Sequence, residues 1–331
     1  MSEHFPDSET TRAVLTLATR APSIYNSQPW RWRVDDRAVH LYIDPSLRLP
    51  HVDPDGRDLM LSCGAALNHC VIAFHAMGWR TTVHRLPDAR DGNHLATIEL
   101  HRGEGDHDDA MLMAAIPRRQ TDRRNFGPRP VSDDDIGLMR ERAAQIGVNL
   151  RRIDEVDTLY TIVAQAFWRH AANHEYLAEL TQWSGRYGSL AGIPARNEPK
   201  YDTALRNRLF AGPALAQPAD GSTAEDNAVI LALGTDTDDR LSQLNAGEAA
   251  SAALLTATAA GLASCPITEP LEIRETRDAV WSDVFGSCCF PQMLLRVGWA
   301  PANADPLPPT PRRALDDIVQ WLSGDERNVV V

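Results

Sequence analysis

No tract of eighteen apolar residues occurs in this 331-residue chain, which argues for a soluble protein without a membrane span. GxGxxG and GxxxxGK(S/T) are both missing, so the usual dinucleotide and P-loop fingerprints are excluded. GxSxG is missing as well, and no nucleophile and base stand at a recognisable spacing. Cysteine is scarce: Cys63, Cys70, Cys265, Cys288 and Cys289 form no CxxC pair and no zinc spacing. An odd number of cysteines in apolar surroundings reads as buried free thiols in a reducing compartment. Positive charge is short too. Lys and Arg number 33 against 45 Asp and Glu, a formal −12, which argues against broad nucleic-acid binding. Any anionic ligand must then be met by a local cluster of arginines. The start, MSEHFPDSETT, lacks the basic-then-apolar order of a signal peptide. Together these absences predict a cytoplasmic protein with no membrane or nucleic-acid partner. What is present, 43% hydrophobic residues, suffices for one large core or two modest ones.

The periodicities predict elements in a repeating order. Ser8, followed by Glu9 and the apolar Val14, Leu15 and Leu17, predicts a helix capped at Ser8 and ending near Arg20. WRWRV and AVHLYI alternate and predict a hairpin around Asp35–Arg37. A long apolar helix is expected from Gly56 to Gly78, and a strand over 95–101. The charged stretch 102–110 is the candidate boundary. Beyond it, Ser132 with Asp133 to Asp135 predicts a capped helix over 132–146, and VNLRRI a strand. Further strands are expected at 228–234 and 293–298, with helices at 241–262 and 314–322. Residues 154–225 form a mixed segment longer than a connection needs, which suits a lid or cover. GAALNHCVIAFHAMG (64–78) and GEAASAALLTATAAG (247–261) are apolar helices of equal length bracketed by glycines, each followed by a turn and a strand. The matched order around them predicts a diverged tandem duplication, residues 1–105 and 106–331.

Several stretches concentrate groups able to hold a ligand. RAPSIYNSQPW (20–30) joins two prolines, which stiffen the backbone, to Ser, Asn and Gln, which offer donors and acceptors. It would grip a polar, planar ligand or serve as a capped helix-to-strand turn. RRQTDRRNF (118–126) places four arginines beside a threonine; their planar forks match phosphate oxygens in pairs. The alternative is a solvated basic turn paired with Asp133 to Asp135. TPRRALDDI (310–318) puts Arg312 and Arg313 at a helix start, where the dipole does not favour them. SCPIT (264–268) can present backbone N–H groups to a flat ring, or simply end a helix. His170 and His174 stand four apart, a spacing that can hold a metal, but without a third ligand they read as a polar helix face. Vicinal Cys288 and Cys289 read as structural thiols or as a redox pair.

These pieces resemble one family. APSIYNSQPW is similar to the AP-S-x-x-N-x-QPW loop of the FMN-dependent nitroreductases, RRQTDRRNF to their phosphate-binding arm, GLASCPIT to their glycine-rich turn beside the flavin, and LLRVGWAP with PRR to their C-terminal strand and phosphate-binding arginine. More narrowly, the length, RRQTD and TPRRALDD resemble the Acg-type mycobacterial nitroreductase-like proteins, in which two such halves are fused as a pseudo-dimer. The resemblance implies an α+β fold of two tandem diverged halves, each with a central mixed sheet and a long core helix. It implies FMN held non-covalently where the halves meet. Ser23, Asn26 and Gln28 would approach the flavin or its ribityl chain from one half. Arg119, Thr121, Arg123 and Arg313, with Arg312 beside it, would hold the phosphate, while Pro266, Ile267 and Thr268 would face the ring. The RRQTDRR arm carries one residue more than the commonest form, so which arginines reach phosphate stays open.

The chemistry implied is an NAD(P)H-dependent oxidoreductase passing electrons through the flavin to a nitroaromatic or quinone acceptor, with no metal and no acid–base dyad. The protein would act as a monomer or homodimer. A competing reading is a flavin-binding or flavin-storing protein whose 154–225 segment covers the ring, with Tyr176, Trp183 or Tyr187 capping it. A third is a structural or stress protein with a vestigial fold. The first half keeps the NSQPW loop without an arginine arm, and the second keeps the arm without such a loop. That complementarity predicts one FMN per chain at most.

Overall fold

Residues 5–105, 107–186, 188–198, 215, 227–301 and 305–322 are described by the computed structural model. The first helix, α1 (Ser8–Ala18), is capped one residue earlier than Ser8: Asp7 is extended, and its carboxylate accepts from the backbone N of Thr10 at 2.8 Å. Ser8 already lies inside the helix. β1 (Trp30–Val34) and β2 (Ala38–Ile43) form the expected hairpin, with Trp30 facing Ile43 and Val34 facing Val39. Asp35 closes its turn by accepting from the backbone N of Arg37 and Ala38, both at 2.8 Å. α2 (Arg57–Ala76) follows; Gly56, with φ of 70°, supplies a left-handed entry. β3 (Trp79–Arg85) and β4 (His94–Arg102) complete the run, and the sheet order is β3-β4-β2-β1-β9.

α3 (His107–Ala115) begins inside the stretch read as a boundary. α4 (Asp133–Gln145) starts where the sequence places it, with Ser132 Oγ accepting from the backbone N of Asp135 at 3.1 Å. A second sheet collects β5 (Asn149–Ile153), β6 (Val229–Thr235), β7 (Ala263–Ile267) and β8 (Phe290–Gly298) in the order β5-β6-β8-β7. α5 (Val156–Ala171) and α6 (His174–Trp183) precede β6, α7 (Arg240–Ala259) follows it, and the short α8 (Glu269–Glu272) and α9 (Arg274–Ala279) link β7 to β8. The expected lid, 154–225, thus opens with two helices; of its later part, 199–214 and 216–225 lie outside the described residues.

The closing helix expected over 314–322 does not form. A single 3-10 turn, Leu315–Asp317, leads into β9 (Val319–Trp321), which pairs parallel with β1. Leu315, Ile318, Val319 and Leu322 have helical spacing, yet β1 offers unpaired backbone groups that only an extended neighbour can meet. The ladder is closed by Trp32 N donating to Ile318 O at 2.7 Å and Leu322 N to Val34 O at 2.8 Å. β9 is what makes the first sheet mixed. The second, where a mixed sheet was also expected, is antiparallel between all its strands, with one parallel bridge from Thr121 to Ser264 of β7.

α2 and α7 form the centre. α2 is long and apolar enough to cross a membrane by length and composition, but it is packed into the core. One cluster joins α1 and α2 to the first sheet through Trp30, Trp32, Leu41 and Phe74. Another joins α4 and α7 to the second through Met139, Leu231, Leu254 and Val297. The two long helices cross where neither has room for a side chain. A Cβ on Gly64 would stand 2.1 Å from the carbonyl O of Leu244, and one on Gly247 would stand 2.1 Å from that of Leu61. Leu61 precedes Gly64 by three residues, and Leu244 precedes Gly247 by three. The contact is therefore reciprocal, the pattern of a two-fold interface.

Candidate functional site

The loop from α1 to β1 adopts a backbone that side chains other than glycine rarely allow. Tyr25, Asn26 and Gln28 have φ of 45°, 54° and 54°. Such strain, about 1–3 kcal/mol per residue, persists only where the surroundings over-determine it. Here they do. Ser23 Oγ accepts from Gln28 N at 3.0 Å, and Ile24 N donates to Ser62 Oγ on α2 at 3.0 Å. Asn26 Nδ2 donates to the carbonyls of Gly192 at 3.2 Å and Pro311 at 3.1 Å, while its Oδ1 accepts from Arg312 Nη1 at 3.0 Å. Gln28 Nε2 donates to Leu190 O at 2.9 Å, and its Oε1 accepts from Arg313 N at 2.8 Å. The amides thus bind the loop to two distant segments, 190–192 and 311–313.

Beside this loop lie two adjoining cavities that share Pro22, Ser23, Thr121, Arg123 and Ile193. The larger, about 1060 Å³, runs between α2 and α7, with Leu61, Ala65, Ala250 and Leu254 as apolar walls. It is also lined by Cys265 to Glu269, from the end of β7 to the start of α8, and by Arg296 from β8. Gly247, which lets the helices touch, also lines it. The smaller, about 550 Å³, gathers Arg20, Arg119, Arg123 and Arg312 around Asn26, Thr121 and Thr310. Residues distant in the sequence therefore meet: the loop 20–30, the arm 118–126, the turn after β7 and the segment before β9.

Of the residues the sequence singled out, Ser23, Thr121 and Arg123 line both cavities. Pro266, Ile267 and Thr268 line the larger, and Asn26, Arg119 and Arg312 the smaller. Gln28 and Arg313 are not among the lining residues of either. The expectation that Arg313 serves phosphate meets a different geometry. Its Nη1 lies 3.4 Å from Gln28 O and 3.8 Å from Asp44 Oδ2, while its neighbour Arg312 lines the smaller cavity. Within RRQTDRRNF the arginines also divide. Asp122 N donates to Ser264 O at 2.9 Å, which docks the arm along β7, and Arg124 is committed to Asp122 at 2.8 Å. Arg119 and Arg123 are the two left facing the cavity.

Arg119 is 5% exposed, and its Nε and Nη1 have no hydrogen-bond partner among the described residues. Burial, then Arg20 and Arg123, pushes its guanidinium down to about 10. Arg312 is pushed down to about 9 by burial, then by Arg119 and Arg20. Arg312 is held by the carbonyls of Thr19 at 2.8 Å and Arg20 at 3.0 Å. His69 of α2, fully buried, is pushed down to about 3 by burial and then by Arg119, so it adds no charge at neutral pH. Like charges converging on a buried space are costly without an anion between them. The site is built for one.

Sequence reasoning missed Arg20 and Arg296. Arg20 opens the very stretch that drew attention, but it reads as the end of α1. Arg296, 1% exposed, stacks on Phe126 at 4.6 Å inside an apolar strand pattern that hides it. His170 is not on an exposed polar face: it is buried, its Nδ1 lies 3.1 Å from Glu269 Oε1, and its ring stacks on Tyr176 at 3.9 Å. Asp53, which accepts from the first turn of α2, is raised to about 7 by burial and by Asp58 at the cavity wall. Among the described residues no His, Cys, Asp and Glu group is arranged to hold a metal.

The nitroreductase family model matches residues 116–299. A protein of Mycobacterium tuberculosis strain H37Rv, provisionally named NAD(P)H nitroreductase Rv3131, is 60% identical over 323 residues, 97% of this chain and 94% of its own. A second from the same strain, acg, provisionally named in the same way, is 34% identical over 340 residues, 99% of this chain and 100% of its own. Among solved structures, a nitroreductase with bound FMN from Desulfitobacterium hafniense is 13% identical, with a TM-score of 0.39, covering 64% of this chain and 98% of that one. By the family model and by relatives of this identity and coverage, the chain belongs to the nitroreductase family.

Proposed function

We propose that the protein is an FMN-binding, NAD(P)H-dependent oxidoreductase that reduces nitroaromatic or quinone acceptors. The observation that carries this reading is Arg119, a buried guanidinium with two unpartnered nitrogens in a cavity of arginines, next to an apolar space large enough for a tricyclic ring. The residues suit FMN. Arg20, Arg119, Arg123 and Arg312 would take the phosphate, Thr121 and Ser23 stand where the cavities join, and Pro266 to Thr268 would border the ring. Bound flavin would supply hydride and electron transfer, and the chain's own groups bind, orient and exclude water around it. The loop 20–30, strained and pinned through Ser23, Asn26 and Gln28, serves as a rigid wall. Arg123, whose Nη1 donates to Asn197 O at 3.2 Å, links the phosphate side to the covering segment.

The cofactor position also supports two fused nitroreductase-like units. The loop belongs to the first, the arginine arm to the second, and the reciprocal Gly64–Gly247 crossing is what a former subunit interface would leave. A second reading, flavin binding with little turnover, is favoured by one feature: residues 190–197 are tied down over the site by Asn26, Gln28 and Arg123. Steady-state NADPH and NADH oxidation by purified protein, with menadione or nitrofurazone as acceptor, separates the two. Turnover supports the oxidoreductase. Bound FMN without turnover supports storage, and purified protein that holds no FMN and gains none on titration overturns both.

A further inference from the structure

We propose that Cys288 and Cys289 form an oxidant-responsive dithiol, which closes reversibly into a vicinal disulfide on reaction with a hydroperoxide. Adjacent residues in an extended strand point to opposite faces, so neighbouring cysteines do not ordinarily meet. These two do: their sulfurs lie 3.6 Å apart. The cause is the turn before β8, where Gly286 and Ser287 both have positive φ, 58° and 57°. Ser287 holds that conformation without the freedom of glycine, so the turn is imposed by its surroundings.

The two thiols have unequal settings, which suits them to unequal parts. Cys288 is exposed, and Arg151 Nη1 lies 3.7 Å from its sulfur. That contact sets a guanidinium N–H directly against the exposed sulfur. Arg151 is itself held over the ring of Phe285 at 4.2 Å. Cys289 is buried, and its sulfur would lie 2.8 Å from a Cβ on Gly234, so it rests directly on the backbone of β6. Burial and the Cys288 thiol push Cys289 up to about 11, which keeps it protonated until its partner has reacted. Cys63 and Cys70 are wholly buried, so neither competes for solvent oxidant.

The reaction balances on these groups. The Cys288 thiolate attacks a hydroperoxide; an S–O bond forms, the O–O bond breaks, and water or an alcohol leaves, giving a sulfenic acid. Cys289 sulfur then attacks that sulfur; the S–S bond forms, the S–O bond breaks, and hydroxide departs with the Cys289 proton as water. Two thiols have given two electrons to the peroxide. A bridge between adjacent residues must span Cα atoms only about 3.8 Å apart, below the usual range of roughly 4.4–6.8 Å. The bond is therefore strained and easily reduced by a dithiol, as a switch requires and a structural bridge does not.

Trypsin reads the outcome directly, because peptide 278–296 carries both cysteines and no other. The full-length protein is treated with a small excess of hydrogen peroxide, denatured, capped with iodoacetamide and digested. The expected peptide is uncapped, lighter than the dithiol by two hydrogens, and restored by dithiothreitol, with the protein unchanged in size on a non-reducing gel. Cys289→Ser should stop at the sulfenic acid and become reactive to dimedone at Cys288. Arg151→Gln should slow the reaction several-fold, while Arg151→Lys retains most of the rate. Two capped cysteines after treatment, direct passage of Cys288 to sulfinic acid, or an interchain bridge would each overturn the proposal.

Discussion

Arg119 keeps two nitrogens without a partner among the described residues, and its charge works against the fold until an anion is bound. Arg119→Met should therefore act with opposite signs on two measurements. Relieving an unsatisfied buried donor should stabilise the flavin-free protein by about 1–3 kcal/mol. Loss of a charge-assisted bond, about 1.5–3 kcal/mol, should weaken FMN roughly ten- to a hundredfold. Urea unfolding of the apoprotein and a fluorescence titration with FMN check the pair; a fall in both would mean that Arg119 is merely structural. At this scale the sequence was legible by stretch rather than by side chain. RRQTDRRNF stands out as an arginine cluster, yet nothing in it says that Arg124 is committed to Asp122 while Arg119 is not. Asn26 and Gln28 stand out as amides, yet their partners at Gly192, Pro311 and Leu190 are more than 160 residues away. Long-range pairing is what a local pattern cannot carry.

At the scale of elements, the α2–α7 crossing has no slack. A methyl at position 64 would meet backbone carbonyl oxygen rather than a movable side chain. Gly64→Ala should cost about 3 kcal/mol or more and force the helices apart. The check is the denaturant midpoint compared with Gly137→Ala, since nothing lies within 4 Å of a Cβ added there. α2 also carries the pH sensitivity. His69 binds its proton only near pH 3 when folded, against an ordinary 6.5 when unfolded. Between those values the unfolded chain holds more protons, so this share of the stability is whole above about 6.5 and is lost as the pH falls toward 3. His69→Gln should lose less stability than the wild type between pH 7 and pH 4.5, followed by chemical denaturation. The hairpin and both long helices were legible because alternation and apolar runs are local. β9 was not, because its residues fit a helix as well as a strand, and the edge of β1 decided between them.

For the molecule as a whole, the proposed cofactor site uses one loop and one arm, and that asymmetry predicts its stoichiometry. Purified protein should release FMN on denaturation at about one per chain, and a value near two would remove the argument. Asn26→Ala in the loop and Arg119→Met in the arm should weaken that same flavin, as read by retention on gel filtration. The glycine-bracketed resemblance of 64–78 to 247–261 is the sequence feature behind the proposal of two fused units. Its spatial meaning emerges only where Gly64 and Gly247 touch. Nor does the sequence show that the last strand returns to the first sheet.

That return has a consequence in time. Strand β9 pairs Val319 with Trp32, so a strand edge made early waits for a partner made last. At roughly 5–20 residues per second the wait is about 15–60 seconds on the ribosome, with an open edge exposed to other chains. The two segments are near enough to change this, since Arg12 on α1 and Asp316 just before β9 form an ion pair at 2.9 Å. Moving residues 305–322 ahead of residue 5 through a short flexible linker would place β9, α1 and β1 consecutively, the usual β-α-β way of joining parallel neighbours. Such a rearranged chain should reach the same fold with a higher soluble yield when synthesised without chaperones. An equal or lower yield from a rearranged chain that still binds FMN would show that the late strand is no bottleneck.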